Sequence, residues 1–169
     1  MRALFVVAAA VLLGFVLSPM MRTDAATCTP RPAASVWDGW SKEQVSNARL
    51  IVTIGKDRRV PVEGQVIAVA TALQESRLRN LPGGDRDSVG LFQQRTSQGW
   101  GTPRQLSDPA YQTRKFYDKL LKIDGWQKMR LTDAAQAVQV SAYPKAYARH
   151  AGAAAGLVGA LNGAGSCSH

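Results

Sequence analysis

Apolar residues recur at helical spacing along much of the chain, and this pattern predicts a mainly α-helical fold. Ser41 and Gln44 form a capping box, so a helix is expected to begin there, to bury Val45, Ala48 and Val52, and to stop near Gly55. Further helices are predicted over residues 61–76, 108–122, 132–142 and 151–165, the third of them capped by Thr132 and Asp133.

Turn-forming residues separate these helices in the middle of the chain. Residues 80–87 and 99–103 are rich in Gly, Pro and other turn formers and are predicted loops. Residues 88–95 form a short mixed segment between the two loops. No linker divides the chain after residue 26, and we therefore expect a single helical domain over residues 27–169 with irregular central loops.

The first residues have a different pattern. Arg2 precedes an unbroken apolar run over residues 3–17. Fifteen helical residues span about 22 Å, which is short of the roughly 30 Å hydrocarbon core of a membrane. A basic start, a short apolar run and small residues further on are typical of a secretory signal. We expect residues 1–26 to be a signal peptide cleaved after Ala26, with Ala25 as the other candidate position and an uncleaved membrane anchor as the alternative.

The chain is basic, with 21 Lys and Arg residues against 12 Asp and Glu residues and a formal net charge of +9. The apolar share of 46% and the charged share of 20% are ordinary for a globular protein and argue against wholesale disorder. For an exported protein, basicity favours anionic polymers of the cell envelope over nucleic acid. We therefore expect a secreted, cell-wall-associated protein without a stable membrane span; a charged surface that only maintains solubility is the alternative.

Cys28 and Cys167 are the only cysteines and lie near opposite ends of the predicted mature chain. Chain termini of a domain are often close together, and exported proteins meet an oxidising environment. We expect a disulfide between the two residues, which would stabilise the fold by about 4–5 kcal/mol through loop closure. A lipid on Cys28 would forbid this bridge, but the residues before it fit a lipoprotein signal poorly.

Glu75 is the main candidate for chemistry, because it lies in the last turn of the helix predicted over 61–76. The helix dipole and an apolar environment both disfavour its charged form, so its pKa is expected to rise. A glutamic acid that stays protonated near neutral pH can act as a general acid. On spacing alone, an exposed Glu75 paired with Arg77 or Arg79 is the more common arrangement.

The sequence after Glu75 favours the catalytic role of this residue over the exposed ion pair. Glu75 is followed by Ser76 and a polar loop, and then by Ser88, Val89, Gly90, Leu91, Phe92 and Gln93. The two segments resemble the linked Glu-Ser and Gly-Leu-(Met/Phe)-Gln motifs of the soluble lytic transglycosylases and goose-type lysozymes, over roughly residues 60–150. The resemblance implies a lysozyme-like fold with Glu75 in a cleft. It also implies substrate contacts by Ser88, by the Gln93 side chain and by the backbone of Gly90, Leu91 and Phe92.

A third motif of these families, Ala-Tyr-Asn-Ala-Gly, is matched only in part. Tyr143 matches its tyrosine, but Pro144 and Lys145 stand where the families have Asn and Ala. The resemblance implies that Tyr143 forms a wall of the cleft. Tyr147 is a further candidate, either for a sugar contact or for packing. Residues 139–144 also resemble domains of secreted actinobacterial cell-wall proteins.

The resemblance implies cleavage of the glycosidic bond between N-acetylmuramic acid and N-acetylglucosamine in peptidoglycan. Glu75 would serve as the acid and base of a lytic transglycosylase, which needs no cofactor, and no metal site is expected from the two histidines and two cysteines. A hydrolase would need a second carboxylate. Asp85 and Asp87 are candidates for it, with turn formation and pairing to Arg86 as the alternative for each.

Two other classes of function stay open. The chain can be a non-catalytic peptidoglycan-binding or regulatory module on a degenerate lysozyme fold, which the altered third motif favours, or a small exported interaction protein. In each case we expect a monomer without nucleic-acid partners. Tryptophans can also stack on sugars, although packing is their more common role. The four candidates are Trp37, Trp40, Trp100 and Trp126.

Overall fold

The computed structural model describes residues 34–140 and 146–163, and this part of the chain is mostly helical, as the apolar pattern predicts. The α-helices are α1 (Ala34–Trp37), α2 (Lys42–Asp57), α3 (Val62–Ser76), α4 (Pro103–Leu106), α5 (Pro109–Leu120), α6 (Leu131–Gln139) and α7 (Ala151–Leu161). Two short strands, β1 (Ser88–Val89) and β2 (Gln94–Arg95), pair as an antiparallel hairpin. Short 3₁₀ helices cover Thr96–Gln98, Trp126–Lys128 and Ala148–His150. In the described ranges, no helix is long and apolar enough to cross a membrane.

Helix α3 lies at the centre of the fold and is its most buried helix. It packs against α2, α5, α6 and α7, and every residue from 67 to 73 is buried. A helix that is apolar on most of its sides has to be surrounded by other elements. Its C-terminal turn leaves the core, and Glu75 therefore stands where the buried helix meets the surface.

Helix α2 begins as predicted but ends later than predicted. Ser41 Oγ accepts the N–H of Gln44, and the Gln44 side chain accepts the N–H of Ser41, which confirms the capping box. The helix continues to Asp57, so the predicted stop near Gly55 is wrong. Gly55 is buried at the crossing with α5, where a Cβ atom would lie only 2.9 Å from Tyr117 Oη. This glycine permits a close helix contact and does not end the helix.

Local signals locate α5 better than α6. The predicted start at Asp108 is confirmed, since its side chain caps the first turn of α5. The predicted cap of α6 is wrong, because the helix begins one residue before Thr132, which is buried inside it, and Arg130 occupies the N-cap position. Val140 adopts a left-handed conformation with φ 52 and ends the helix before the predicted residue 142.

The last helix, α7, packs on α3 and ends at Leu161. The prediction extended it to residue 165, but the chain turns earlier, where Gly163 adopts φ 78. The predicted signal peptide over 1–26 lies outside the described residues, as do Cys28 and Cys167. Cleavage of the signal peptide and the disulfide between the two cysteines stay predictions.

Candidate functional site

Glu75 is half-buried and lines a polar cleft. Tyr147 Oη donates a hydrogen bond to Glu75 Oε1 at 2.8 Å. Burial raises the pKa of Glu75 above its ordinary value of 4.5, and this effect outweighs the lowering by the hydroxyl group of Tyr147 and the amide of Gln139. Among the described residues no salt bridge includes Glu75, so it is not the exposed partner of Arg77 or Arg79.

Ser76 anchors the end of α3 to the hairpin loop, residues 90–93, which joins β1 and β2. The buried Ser76 hydroxyl donates to the carbonyl of Leu91 at 2.7 Å and accepts the N–H of Arg79 at 3.2 Å. Arg77 adopts a left-handed conformation with φ 56 and ends the helix. The serine of the Glu-Ser pair therefore fixes the position of Glu75 relative to the hairpin loop.

Gln112 of α5 holds the hairpin loop from the other side. Its amide nitrogen donates to the carbonyls of Val89 and Leu106, both at 2.6 Å, and its amide oxygen accepts the N–H of Phe92 at 2.7 Å. Gly90 adopts φ +79, and a Cβ atom there would lie 2.2 Å from Gln112 Nε2. Glycine is therefore required at position 90 both by the backbone conformation and by the close approach of Gln112.

Leu91 and Phe92 are core residues. Both side chains are fully buried, and the Phe92 ring stacks on Phe116 with 4.9 Å between the ring centroids. The Leu91 carbonyl and the Phe92 N–H are bonded as described above, and the Phe92 carbonyl accepts a hydrogen bond from Gln139 Nε2 at 2.8 Å. Three of the four main-chain polar groups of this pair are thus used within the protein, and the pair shapes the cleft from behind.

Ser88 and Gln93 are the predicted binding residues that do line the cleft with Glu75. Gln93 adopts φ 48, and its Nε2 donates to the carbonyl of Gly90 at 3.0 Å. A Cβ atom at Gly84 would lie 1.7 Å from Gln93 Oε1. The glycine in the preceding loop therefore makes room for the Gln93 amide at the edge of the cleft.

The cleft encloses about 560 Å³, and most of the side chains around it are polar. Its described lining residues are Gln74, Glu75, Asp85, Arg86, Ser88, Gln93, Arg95, Gln98, Gln139 and Val140. Amide groups can bind hydroxyl and acetamido groups. A half-buried carboxyl group with a raised pKa can donate a proton to a ligand oxygen and then act as a base. The arrangement is therefore suited to acid–base chemistry on a polar ligand.

The two candidates for a second carboxylate differ in their surroundings. Asp87 accepts hydrogen bonds from Arg95 Nε at 2.7 Å, from the Ser97 N–H at 2.7 Å and from Ser97 Oγ at 2.9 Å. These bonds, led by the Ser97 N–H, hold the pKa of Asp87 well below its ordinary value. Asp85 has a side chain that is 91% exposed, next to Arg86, and it lines the cleft. Asp87 is thus a structural anchor, and of the pair only Asp85 lines the cleft.

The tyrosine next to Glu75 is Tyr147. Its ring is fully buried, which excludes a stacked sugar and leaves its hydroxyl group to orient the Glu75 carboxyl. Tyr143, predicted as a wall of the cleft, lies outside the described residues. The chain beyond Tyr147 is fastened to α3, since Arg149 Nη2 donates to Gln74 Oε1 at 2.8 Å.

Sequence reasoning missed Gln112 and Gln139. A signal for Gln112 exists, because it shares one face of α5 with the buried residues Phe116 and Leu120. A polar residue on an apolar stripe indicates buried hydrogen bonds. Gln139 likewise shares one face of α6 with the buried residue Ala135, although its partners at the cleft come from other parts of the chain.

The chain matches no protein-family model, and no curated protein matches it at a significant level. Within the described ranges, no group of three or more His, Cys, Asp and Glu side chains is placed to hold a metal ion. The geometry around Glu75 and the two sequence motifs are therefore the basis for assigning a function.

Proposed function

We propose that this protein is a secreted, lysozyme-like enzyme that cleaves the glycan strands of peptidoglycan between N-acetylmuramic acid and N-acetylglucosamine, as a lytic transglycosylase. One observation carries the proposal: Glu75 is a half-buried acid with a raised pKa, oriented by Tyr147, in a polar cleft. The Glu-Ser and Gly-Leu-Phe-Gln motifs support the choice of substrate. The net charge of +9, which becomes +8 when Arg2, Arg22 and Asp24 leave with the signal peptide, suits an anionic cell wall.

In this mechanism the protonated Glu75 carboxyl gives its proton to the glycosidic oxygen, and the bond from that oxygen to C1 of the muramic acid breaks. The 2-acetamido group of the substrate stabilises the positive charge that develops at C1, so no protein nucleophile is required. The Glu75 carboxylate then removes the proton of the C6 hydroxyl group, whose oxygen attacks C1. The product carries a 1,6-anhydro end, and Glu75 returns to its protonated state.

The other residues of the cleft have supporting roles. Ser88 and Gln93 offer a hydroxyl group and an amide group for the hydroxyl and acetamido groups of the sugars. Gln139 holds the carbonyl of Phe92 and so helps to fix the hairpin loop. Tyr147 is a positioning residue, since it acts on the substrate only through Glu75. Ser76 and Gln112 keep the hairpin loop in place opposite the acid.

A muramidase is the second candidate, and the presence of Asp85 in the same cleft favours it. There, Asp85 would activate a water molecule that attacks C1, and the product would carry an ordinary reducing end. A binding module without cleavage is the third candidate, on account of Pro144 and Lys145 in the altered motif.

Release of labelled fragments from purified sacculi tests the proposal. We expect the Glu75→Gln variant to lose about a thousandfold in rate, which is within the contribution of a general acid and base. Glu63→Gln is the matched control, because Glu63 is an exposed residue in the first turn of the same helix, and it should keep the full rate. Full activity of Glu75→Gln would exclude this mechanism. Sedimentation with sacculi but no release by the wild-type protein would favour the binding module.

A further inference from the structure

The four tryptophans form two groups. Trp100 and Trp126 are buried, with exposed fractions of 5% and 2%, and the Lys119 amine lies 3.6 Å from the centre of the Trp100 ring. Trp37 and Trp40 are only partly buried and line an open groove on the surface. A stacking role for the tryptophans is thus confined to Trp37 and Trp40.

A tight turn fixes these two residues at the start of α2. Trp37 ends α1, and the N–H of Trp40 donates to the carbonyl of Trp37 at 3.1 Å. Gly39 within this turn adopts φ +84, a conformation that favours glycine. Ser41 follows directly and caps α2. The tryptophan pair is therefore attached to a well-defined helix start.

The first turns of α2 supply the rest of the groove. Four residues at helical spacing share one face of this helix and line the groove together with Trp37 and Trp40: Lys42, Val45, Ser46 and Arg49. The groove encloses about 510 Å³, within the range of roughly 300–1,000 Å³ that is typical of small-ligand sites.

The groove is separate from the cleft at Glu75. On another face of α2, Glu43 Oε1 accepts the N–H of Asn80 at 3.0 Å and Asn47 Nδ2 donates to the carbonyl of Leu78 at 2.8 Å. These bonds attach α2 to the loop that follows α3. The two sites therefore have different lining residues and can be tested independently.

The groove is also basic. Neither Lys42 nor Arg49 takes part in a salt bridge with any described residue, and no acidic side chain is among the described residues of the groove. Indole rings offer an apolar face for the apolar face of a sugar ring, and the two exposed cations can pair with negative charges of a ligand. A ligand that fits this groove carries both sugar rings and negative charges.

We propose that the groove formed by Trp37, Trp40, Lys42 and Arg49 binds an acidic carbohydrate chain. The indole rings stack on the sugars, the two cations pair with carboxylates on the chain, and Ser46 offers a hydroxyl group to it. The groove would hold the protein on an acidic glycan whether or not the cleft cleaves peptidoglycan.

Binding of three probes tests this proposal: a hyaluronan tetrasaccharide, which alternates N-acetylglucosamine with glucuronate, the neutral chitotetraose, and tetraglutamate. We expect the hyaluronan probe to bind at least about tenfold more tightly than the other two. It should move the indole N–H signals of Trp37 and Trp40 in NMR spectra and leave those of Trp100 and Trp126 in place. Equal affinity for tetraglutamate or chitotetraose, or no binding at all, would overturn the proposal.

Two double variants distinguish binding in the groove from non-specific attraction to the positive charge of the protein. Lys42→Gln with Arg49→Gln should weaken hyaluronan binding by about tenfold or more. Arg104→Gln with Lys128→Gln removes the same net charge at exposed positions outside the groove and should leave the affinity unchanged. If the two double variants lost the same amount of hyaluronan affinity, the binding would be non-specific attraction, and the proposed site would be excluded.

Discussion

At the scale of single residues, burial and hydrogen bonding act in opposite directions on Glu75. Burial raises its pKa, while the hydroxyl group of Tyr147 and the amide of Gln139 lower it. An acid catalyst must be protonated before it reacts and must be able to lose the proton during the reaction. The balance of these effects leaves the pKa of Glu75 above its ordinary value, as the proposed acid requires.

Tyr147→Phe removes the hydrogen bond to Glu75 and keeps the buried ring. Because that bond lowers the pKa, its loss should raise the pKa of Glu75 further. Activity that needs protonated Glu75 falls as the pH rises through this pKa, so the alkaline limb of the pH–rate profile should move to higher pH. The rate itself should fall by about tenfold, since the carboxyl group is less well oriented.

Tyr111→Phe is the control for this change. It removes a hydroxyl group that donates to the Trp100 carbonyl at 3.1 Å, and it should leave the profile unchanged. A Tyr147→Phe variant with the wild-type pH profile would show that the hydroxyl group does not act on the acid.

The raised pKa of Glu75 also predicts a cost in stability. The folded protein holds this proton more tightly than the unfolded chain does, so ionisation of Glu75 penalises the fold as the pH rises above 4.5. Glu75→Gln should therefore raise the midpoint of thermal unfolding at pH 7, and the difference should vanish below pH 4.5. Glu63→Gln, at an exposed position in the first turn of the same helix, should not raise the midpoint at pH 7, because a negative charge at a helix N-terminus is stabilising. A lower midpoint for Glu75→Gln at pH 7 would contradict the burial of the charge.

At the scale of elements, the hairpin loop depends on the fit between Gly90 and Gln112. Gly90→Ala places a methyl group 2.2 Å from Gln112 Nε2 in a backbone with φ +79. Gly99 is a matched control, with φ +75 and open space around its Cβ position. Gly99→Ala should cost about 1 kcal/mol for the backbone alone, and Gly90→Ala about 1–3 kcal/mol more for the overpacking. Urea unfolding measures both, and equal losses would show that Gln112 does not constrain the loop.

Local signals predicted the start of several elements. The capping box of Ser41 and Gln44 and the start of α5 at Asp108 needed only a few neighbouring residues. The ends of α2 and α6 had no such local signal. Gly55 lies inside α2 where Tyr117 packs closely against it, and Val140 ends α6 in a left-handed conformation that no propensity favours.

The sequence likewise predicted one part of the candidate site and missed the other. The motifs placed Glu75, Ser88 and Gln93, which lie together in the cleft. The partner of Glu75 is a tyrosine far away in the sequence, Tyr147, and periodicity along one helix cannot predict such a contact. The anchoring by Gln112 is likewise a contact between separate elements, although its position on an apolar face gave a usable signal.

At the scale of the whole molecule, close packing around the central helices supports the cleft. A Cβ atom at Gly55 would lie 2.9 Å from Tyr117 Oη and 2.9 Å from Gln65 Cγ. Gly55→Ala should therefore destabilise the protein by about 1–3 kcal/mol through overpacking.

Gly156→Ala is the control for that substitution, because Gly156 lies in α7 with open space around its Cβ position. It should stabilise the protein by about 0.5–1 kcal/mol through helix propensity. Opposite signs in denaturant unfolding are expected for the two variants. A stabilising Gly55→Ala would show that α2 and α5 do not pack this closely.

The central proposal is that Glu75 acts as the acid and base of a lytic transglycosylase. The chemical ends of the reaction products test it most directly. Mass spectrometry of the soluble fragments released from purified sacculi distinguishes 1,6-anhydro-muramyl ends from reducing ends, because the two differ by one molecule of water. The mechanism through Glu75 predicts anhydro ends from the wild-type protein and from Glu63→Gln, and about a thousandfold slower release of them from Glu75→Gln. Reducing ends alone, or anhydro ends released by Glu75→Gln at the wild-type rate, would contradict it.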